Sequence, residues 1–247
     1  MNKNLIYIVA VPDSSAKVNV FDYAKYSVTS WDRYCNKYDI DLLVVDENLD
    51  ERFAKPIWNK EMICAVGQQY DKIGIVDCDT MIHPDAPNIF DMYSDDEFCG
   101  VNDLCDLNWL LESISQRQWM FPDVKMNIFK YLNAGVLFFS NKHLHLFKKV
   151  LNLYFENKDW IDNWKGGGGK EQTILNFVIQ ENDINVRLLE PSWNLLSIHR
   201  KNMFTHNWQL NLDHTPYFIK YAHVWHFTGF PIEDRVRLMQ QTWDLIK

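Results

Sequence analysis

The sequence lacks the features of a membrane-spanning or disulfide-stabilised protein. No apolar run approaches the ~20 residues that a membrane-spanning helix needs, and the apolar stretch at residues 4–11 is too short for a signal peptide with a cleavage site. The cysteines are odd in number, scattered and without a C-x-x-C pair, which favours reduced thiols over disulfides or a zinc site. We therefore expect no transmembrane segment and a cytoplasmic location. The cysteines are Cys35, Cys64, Cys78, Cys99 and Cys105.

Basic residues are also scarce. The 25 Lys and Arg are outnumbered by 33 Asp and Glu, which gives a formal net charge of −8. Binding to nucleic-acid phosphates needs clustered basic residues, so nucleic acid is not an expected partner. The 247 residues, 47% of them hydrophobic, are typical of one globular domain. Ten tryptophans contribute to an aromatic fraction of 15%, and flat rings suit sugars and nucleobases as well as a core.

The first third of the chain alternates apolar strands with amphipathic helices. Strands are predicted at residues 4–11, 41–46 and 72–76, separated by helices at 18–37 and 57–70. This alternation is typical of a parallel sheet with helices on both faces. We therefore expect an α/β fold with a Rossmann-like, mostly parallel sheet in a single domain.

The remainder of the chain continues this pattern less regularly. A Trp-rich segment up to residue 122 is interpreted as a lid or an insertion. Further strands are predicted at 97–101, 131–140, 185–189 and 222–227, and further helices at 144–156, at 171–180 and from 233 onwards.

Acidic residues follow the predicted strands at one edge of this sheet. Asp77 and Asp79 come directly after strand 72–76, while the turn 12–15 and Asp46 follow the other two strands. Ligands of such sheets bind beyond the carboxyl ends of the strands. Two buried carboxylates need a neutralising partner, and Mg²⁺ and Mn²⁺ prefer oxygen ligands. The sequence therefore predicts a divalent-cation site at Asp77 and Asp79, where the ion would bridge a diphosphate.

Two other interpretations of this Asp-x-Asp motif are weighed. The aspartates would also serve as simple turn formers at the end of a strand. Phosphatases of the haloacid-dehalogenase type carry Asp-x-Asp-x-Thr, usually after the first strand of the fold. Here Thr80 stands one place early, Met81 occupies the threonine position, and the motif follows the third strand. The phosphatase interpretation is therefore disfavoured.

Ordered motifs between residues 60 and 229 resemble those of the retaining GT-A glycosyltransferases of family 8, the glycogenin and lipopolysaccharide-galactosyltransferase type. The matching residues are Lys60 at the family's donor-side basic position, Asp77-Cys78-Asp79, Asn102-Asp103, Asn133-Ala134-Gly135-Val136, the helix start Gly168-Gly169-Lys170-Glu171-Gln172, and His226-Phe227-Thr228-Gly229. The resemblance spans roughly three quarters of the chain.

The resemblance implies a metal-dependent hexosyltransferase that takes its sugar from a nucleotide-sugar donor, with a UDP-sugar as the preferred candidate. It also implies Mn²⁺ or Mg²⁺ as the cofactor. Asp77 and Asp79 would bind the ion, and His226 would be the third protein ligand. The residues implied in donor binding are Val9, Ala10, Val11 and Asp13 near the uridine, and Lys60, Asp77, Asn133, Ala134 and Gly229 near the diphosphate and sugar.

Glu171, Gln172 and Asp103 are the candidate catalytic residues. In a retaining enzyme, Glu171 and Gln172 would face the β side of the donor sugar, and the departing phosphate would take the acceptor's proton. An inverting enzyme requires a base near the acceptor, for which Asp103 and Glu171 are the candidates. Glu171 also has a simpler interpretation as a helix cap, because the positive end of a helix dipole favours acidic residues.

The chain departs from the family pattern at two places. The family's His-x-x-Gly is followed by a lysine that grips the diphosphate, but Ile232 occupies that place, with Arg235 or Arg237 as possible substitutes. Glu171 stands where the family has aspartate, and Lys170 is an additional residue. The missing lysine at Ile232 supports a second hypothesis, a non-catalytic protein of the same fold that binds a nucleotide-sugar or a glycan.

The acceptor is predicted only by class: a glycan, a protein or a small molecule. We expect residues 1–105 to form the nucleotide-binding half and residues 106–247 the half that shapes the acceptor site. The tryptophans at 109, 119, 160 and 164 are candidates for an acceptor platform. The glycine run 166–169 is interpreted as a hinge, because no Lys-Ser/Thr follows it as in a phosphate loop.

Overall fold

The structure, a computed structural model, describes residues 3–104, 106–164, 169–196 and 217–247. Within these residues, a six-stranded sheet has the strand order β2-β1-β3-β6-β5-β7, and a smaller sheet pairs β4 with β8. The strands are β1 (Asn4–Val9), β2 (Asp41–Val45), β3 (Lys72–Asp77), β4 (Thr80–Ile82), β5 (Glu97–Asn102), β6 (Leu132–Ser140), β7 (Asn185–Leu188) and β8 (Val224–His226).

The large sheet is mostly parallel, as predicted. Strand β1 pairs in parallel with β2 and β3, and β5 pairs in parallel with β7. Strand β6 runs against both of its neighbours, β3 and β5. All of its residues are buried, as expected for a central strand covered on both faces.

Helices cover both faces of this sheet. The helices are α1 (Phe21–Tyr38), α2 (Ile63–Val66), α3 (Leu107–Arg117), α4 (Leu144–Glu156), α5 (Lys158–Asn163), α6 (Lys170–Glu181), α7 (Tyr217–Tyr221) and α8 (Ile232–Ile246). Leu5 and Tyr7 of β1 join the core that contains α4 and α6, whereas Ile6 and Ile8 join the core that contains α1. This division follows from the alternation of side chains along a strand.

Three predicted elements differ from the structure. The helix predicted at 57–70 is broken into the 3₁₀ turn Pro56–Met62, helix α2 and the 3₁₀ turn Gly67–Gln69. The hydroxyl of Tyr7 donates to the carbonyl of Asn59 at 2.7 Å, which takes a backbone acceptor that a regular helix would use. The last strand, β8, joins β4 instead of the main sheet. The Trp-rich segment contains α3, which packs on α6 through a bond between the Ser113 and Thr173 hydroxyls (2.7 Å).

Residues 105 and 166–168, which include Cys105 and most of the predicted glycine hinge, lie outside the described residues. The other four cysteines are free thiols. None of the helices in the described part of the chain combines the length and the apolarity needed to cross a membrane. The cytoplasmic location stays a prediction, and so does the division into a nucleotide-binding and an acceptor-shaping half.

Thr80 fixes the turn between β3 and β4. Its hydroxyl donates to the carbonyl of Asp77 at 2.7 Å and accepts from the indole N–H of Trp31 at 3.0 Å. Thr80 and Trp31 are both fully buried. Helix α1 thereby holds the segment that carries the two aspartates.

Replacing Thr80 with valine keeps the side-chain volume but leaves the buried indole N–H of Trp31 without its acceptor. An unsatisfied buried polar group costs about 1–3 kcal/mol, so Thr80→Val should lower the free energy of unfolding by that amount in urea titrations. Thr29→Val is the matched control, because the Thr29 hydroxyl also donates to a backbone carbonyl (2.7 Å) but is exposed. The control should change stability by less than about 0.5 kcal/mol; equal losses in both variants would contradict the assignment.

Candidate active site

Asp77, Asp79 and His226 converge at one edge of the large sheet. Asp77 is the last residue of β3, and Asp79 precedes β4. Strand β8 pairs with β4 so that His226 lies opposite Thr80, and the backbone N–H of Phe227 donates to the carbonyl of Asp79 at 2.9 Å. As a result, Nε2 of His226 lies 3.3 Å from Oδ1 of Asp79 and 3.7 Å from Oδ2 of Asp77. The predicted proximity of these three residues is confirmed.

The remaining oxygen of each aspartate faces a basic side chain. Nζ of Lys60 lies 2.6 Å from Oδ1 of Asp77, and a guanidinium nitrogen of Arg235 lies 3.0 Å from Oδ2 of Asp79. Burial alone raises the pKa of Asp79, but the guanidinium of Arg235 and the adjacent imidazole of His226 outweigh this effect and hold the pKa below its usual value. Asp79 is therefore a buried carboxylate, with one oxygen on a cation and the other free to face His226.

His226 has one satisfied and one unsatisfied ring nitrogen. Nδ1 lies 2.9 Å from Oδ1 of Asn194, whereas Nε2 is buried and has no hydrogen-bond partner. The space beside Nε2 depends on Gly135, because a Cβ there would lie 2.9 Å from Nε2 and 2.8 Å from Oδ2 of Asp77. Two carboxylate oxygens and one imidazole nitrogen around this point form a possible metal site. The three ligand atoms all lie within 4.8 Å of one another.

Lys60 joins this cluster to the start of α6. Its Nζ lies 3.3 Å from Oε1 of Glu171 as well as near Asp77. Burial lowers the pKa of Lys60, but the two carboxylates outweigh it and raise the pKa above its usual value. Oε2 of Glu171 is buried without a partner. Glu171 lies in the first turn of α6, where the helix dipole favours an acidic residue, and its Oε1 accepts a hydrogen bond from Lys60.

Asp103, Asn133 and Gln172 form a neighbouring network of hydrogen bonds. Oδ2 of Asp103 accepts from the amide of Asn133 at 2.9 Å and from the amide of Gln172 at 3.0 Å. Oε1 of Gln172 accepts from the backbone N–H of Ala134 at 2.9 Å. These bonds fix the β6 motif against the start of α6. Asn102, the other residue of its predicted pair, donates to backbone carbonyls of Ile128 and Tyr131 instead.

Two adjoining cavities meet at Lys60, Asp77 and Glu171. The first, of about 510 Å³, is lined by the ends of β1 and β3, residues 55–57, the start of α6 and the first turn of α8. The second, of about 370 Å³, extends towards α3. Predicted residues that line the first cavity are Val9, Val11, Asp13, Lys60, Asp77, Asp79 and Glu171. Those that line the second are Lys60, Asp77, Asp103, Asn133, Glu171, Gln172, His226 and Gly229.

Three other candidates lie outside these linings. Ala10 is buried, and its N–H donates to the carbonyl of Val45 at 2.7 Å. Ala134 lies behind Gln172, and Asp46 is exposed away from both cavities. Of the four tryptophans, Trp109 lines the second cavity. The rings at 119, 160 and 164 pack on one another, with Trp160 central and centroids 5.3 Å apart in each pair.

The two candidate arginines of α8 have different surroundings. Arg235 lines the first cavity and pairs with Asp79, whereas Arg237 is exposed and pairs with Asp234 at 2.9 Å.

Sequence reasoning missed Asn194, the partner of His226, because a single asparagine after a tryptophan carries no motif. The only available signal was its polar side chain between apolar neighbours, Trp193 and Leu195.

Glu61, beside Lys60, is a buried carboxyl group outside both cavities. Burial, and then the charge of Glu171, raise the pKa of Glu61 well above its usual value, and Lys60 offsets only part of this effect. A carboxyl group whose pKa is higher in the folded than in the unfolded state, where it is about 4.3, costs stability as the pH rises above the unfolded value. Its oxygen Oε2 has no hydrogen-bond partner.

Glu61→Gln should therefore increase the free energy of unfolding near pH ~8 and have little effect near pH ~4. An increase of more than about 1 kcal/mol is expected, because a tenfold change in proton affinity is worth about 1.4 kcal/mol. Urea unfolding at both pH values measures this difference. Glu112→Gln, on the exposed side of α3, is the control and should change little at either pH. A loss of stability at the higher pH would show that the fold needs the charged carboxylate.

Comparison with known proteins gives matches among solved structures only; no family profile and no curated protein sequence matches the chain. A glycosyltransferase involved in the glycosylation of the major capsid of PBCV-1 is 13% identical, with a TM-score of 0.58 over 97% of this chain and 99% of that chain. The galactosyltransferase LgtC, solved in complex with donor and acceptor sugar analogs, is 15% identical, with a TM-score of 0.59 over 98% and 96%. The glycosyltransferase GlyE of Streptococcus pneumoniae TIGR4 is 13% identical, with a TM-score of 0.54 over 100% and 62%. The chain therefore has the GT-A fold of these glycosyltransferases.

Proposed function

We propose that this protein is a metal-dependent glycosyltransferase that transfers a hexose from a nucleotide-sugar to an acceptor with retention of configuration. A UDP-sugar is the preferred candidate for the donor. One observation carries the proposal: the unpartnered Nε2 of His226 faces one free oxygen each of Asp77 and Asp79. This cluster borders a cavity in a fold shared with glycosyltransferases. Retention is the outcome that the family resemblance implies.

The donor set suits a hard divalent cation. Carboxylate oxygens with one imidazole are ligands that Mn²⁺ accepts readily, and Mg²⁺ accepts the oxygens. Asp77, Asp79 and His226 would hold the ion. When bound, the cation would neutralise charge on the diphosphate leaving group.

The first cavity is proposed as the donor site. Val9, Val11 and Asp13 lie at the end of β1, where nucleotides bind in sheets of this kind. Lys60 and Arg235 supply positive charge at the opposite side, next to the aspartates, which suits a diphosphate. The guanidinium of Arg235 would take the role of the lysine that Ile232 replaces.

The sugar would occupy the junction of the two cavities. Glu171 lines both of them and offers a free oxygen to a sugar hydroxyl, while Gln172, Asn133 and Gly229 line the second. Gln172 is proposed to lie near the reacting carbon, held there by its bond to Ala134 N. Asp103 accepts two amide bonds, so in a retaining reaction it would hold these amides in place. It would act as a base only if the reaction inverts.

The second cavity is proposed as the acceptor site. Trp109, Asp106 and Leu196 line this cavity. An aromatic ring beside carboxylates is a common arrangement for a sugar, so a glycan is preferred to a protein or a small molecule as the acceptor.

A second candidate is a nucleotide-sugar-binding protein without catalytic activity. The missing lysine at Ile232 favours it. Release of free sugar from a UDP-sugar separates the two: slow, metal-dependent hydrolysis marks an enzyme, and tight binding without turnover marks a binding protein. A thermal-shift screen of nucleotide-sugars with and without Mn²⁺ identifies the donor, because a ligand that binds the folded state raises its stability by mass action.

Asp79→Asn should abolish transfer, with a loss of at least about 100-fold in kcat/KM, because the ion loses a charged ligand. The measurement is sugar transfer or donor hydrolysis with Mn²⁺, together with circular dichroism to check the fold. Asp85→Asn is the control, since that side chain is 90% exposed in the same segment of the chain. Full activity of Asp79→Asn, or of the unaltered protein in EDTA, would refute the metal mechanism.

Arg235→Gln should raise the KM for the donor by about 10–100-fold, because a hydrogen bond to a charged group is worth about 1.5–3 kcal/mol. Mn²⁺ binding without donor should not weaken, since the lost charge repels the cation. Arg237→Gln removes the same charge two residues away, where the side chain is exposed, and should leave both values unchanged. Equal effects of the two substitutions would exclude a specific role for Arg235 in donor binding.

A further inference from the structure

The ring nitrogen that His226 offers to the aspartates depends on the hydrogen bonds behind the ring. A neutral imidazole carries its proton on Nδ1 or on Nε2, and only the unprotonated nitrogen can bind a cation. Oδ1 of Asp79 lies 3.3 Å from Nε2, so the aspartates by themselves would attract a proton to that nitrogen. Another interaction must therefore keep the proton on Nδ1 if Nε2 is to bind metal.

The orientation of Asn133 is fixed by two partners that cannot exchange roles. The backbone N–H of Gly135 can only donate, and it lies 3.0 Å from Oδ1 of Asn133. The carboxylate of Asp103 only accepts, and it lies 2.9 Å from Nδ2 of Asn133. The amide oxygen of Asn133 must therefore point away from Asp103.

The orientation of Asn194 follows from that of Asn133. Oδ1 of Asn133 accepts from Nδ2 of Asn194 at 2.9 Å, so the other end of the Asn194 amide is an oxygen. This oxygen lies 2.9 Å from Nδ1 of His226, which must therefore donate to it. Asn194 is 0% exposed and His226 is 1% exposed, so solvent does not offer an alternative partner.

We propose that Asp103, Asn133 and Asn194 form a directed chain of hydrogen bonds that holds His226 in its Nδ1–H tautomer and turns the lone pair of Nε2 towards Asp77 and Asp79. The three are positioning residues, because they act on the cation only through His226. This inference rests on the proposed metal site, although the tautomer itself does not require a metal. Gln172 reinforces the chain at its origin, since it also donates to Oδ2 of Asp103 at 3.0 Å.

The experiment reads the tautomer directly in metal-free protein. Long-range ¹H–¹⁵N correlation spectra of the imidazole ring distinguish the protonated from the unprotonated nitrogen. A spectrum of His226→Gln assigns the signals. The unaltered protein should show Nδ1 protonated. A protonated Nε2 would overturn the proposal without any further variant.

Two substitutions of Asn194 separate the tautomer from general packing. Asn194→Leu removes the acceptor of Nδ1, so the proton should move to Nε2, and Mn²⁺ measured by isothermal titration should bind about 10–100-fold more weakly. Asn194→Asp loses the bond to Asn133 equally but keeps an oxygen for Nδ1. It should therefore retain the Nδ1–H tautomer and bind Mn²⁺ within a few-fold of the unaltered protein.

The outcomes distinguish this inference from the proposed function. If Asn194→Leu shows an Nδ1–H signal and binds Mn²⁺ as tightly as the unaltered protein, the proposed role of the hydrogen-bond chain is overturned. An Nε2–H signal in Asn194→Asp would overturn it as well. If Asn194→Leu does not fold, the spectra of the unaltered protein and of Asn194→Asp still decide. Protein that shows Nδ1–H and binds no Mn²⁺ would support the chain of hydrogen bonds and refute the metal-dependent function.

Discussion

Two carboxylates at the buried edge of a sheet are the constraint on which the rest of this structure depends. Asp79 is buried and Asp77 is partly buried, and an unpaired buried charge costs several kcal/mol. The partners come from distant parts of the chain: Lys60 precedes β3, while His226 and Arg235 lie near the end. Satisfying the aspartates therefore fixes β8 and α8 against the first three strands.

The same pairing prepares the cluster for an anionic ligand. Asp77, Asp79 and Glu171 present three carboxyl groups to two basic side chains, Lys60 and Arg235. A bound divalent cation would change the net charge of these five side chains from negative to positive. The site would then attract a diphosphate that it would otherwise repel. Each aspartate has one oxygen engaged by a basic residue and one left for the ion. Metal and donor binding would thus be coupled through the two aspartates.

The sequence allowed the motifs and the positions of seven of the eight described strands to be predicted, because both are local; the short strand β4 was not predicted. Apolar runs mark β1, β2 and β3, and the Asp77-x-Asp79 pair after β3 indicates a cation site by itself, whereas His226 was identified only through the family resemblance. It did not reveal that β6 runs antiparallel, since an apolar run has no direction until its neighbours are known. The broken helix at 56–69 includes a contact that the local pattern does not show, the hydrogen bond from Tyr7 to the carbonyl of Asn59 about fifty residues away. Asn194 could not be identified because its role comes entirely from two contacts, with Asn133 and His226.

The choice between the two arginines shows how a lost family residue can be replaced within one helix. Successive residues of an α-helix are about 100° apart, so positions three apart share a face and positions two apart do not. Ile232 and Arg235 both line the first cavity, whereas Arg237 lies on the exposed side of α8. Under the proposed function, the cation absent at position 232 would be supplied about one turn later by the always charged guanidinium of Arg235. Because that group also pairs with Asp79, it would tie phosphate recognition to the proposed metal site.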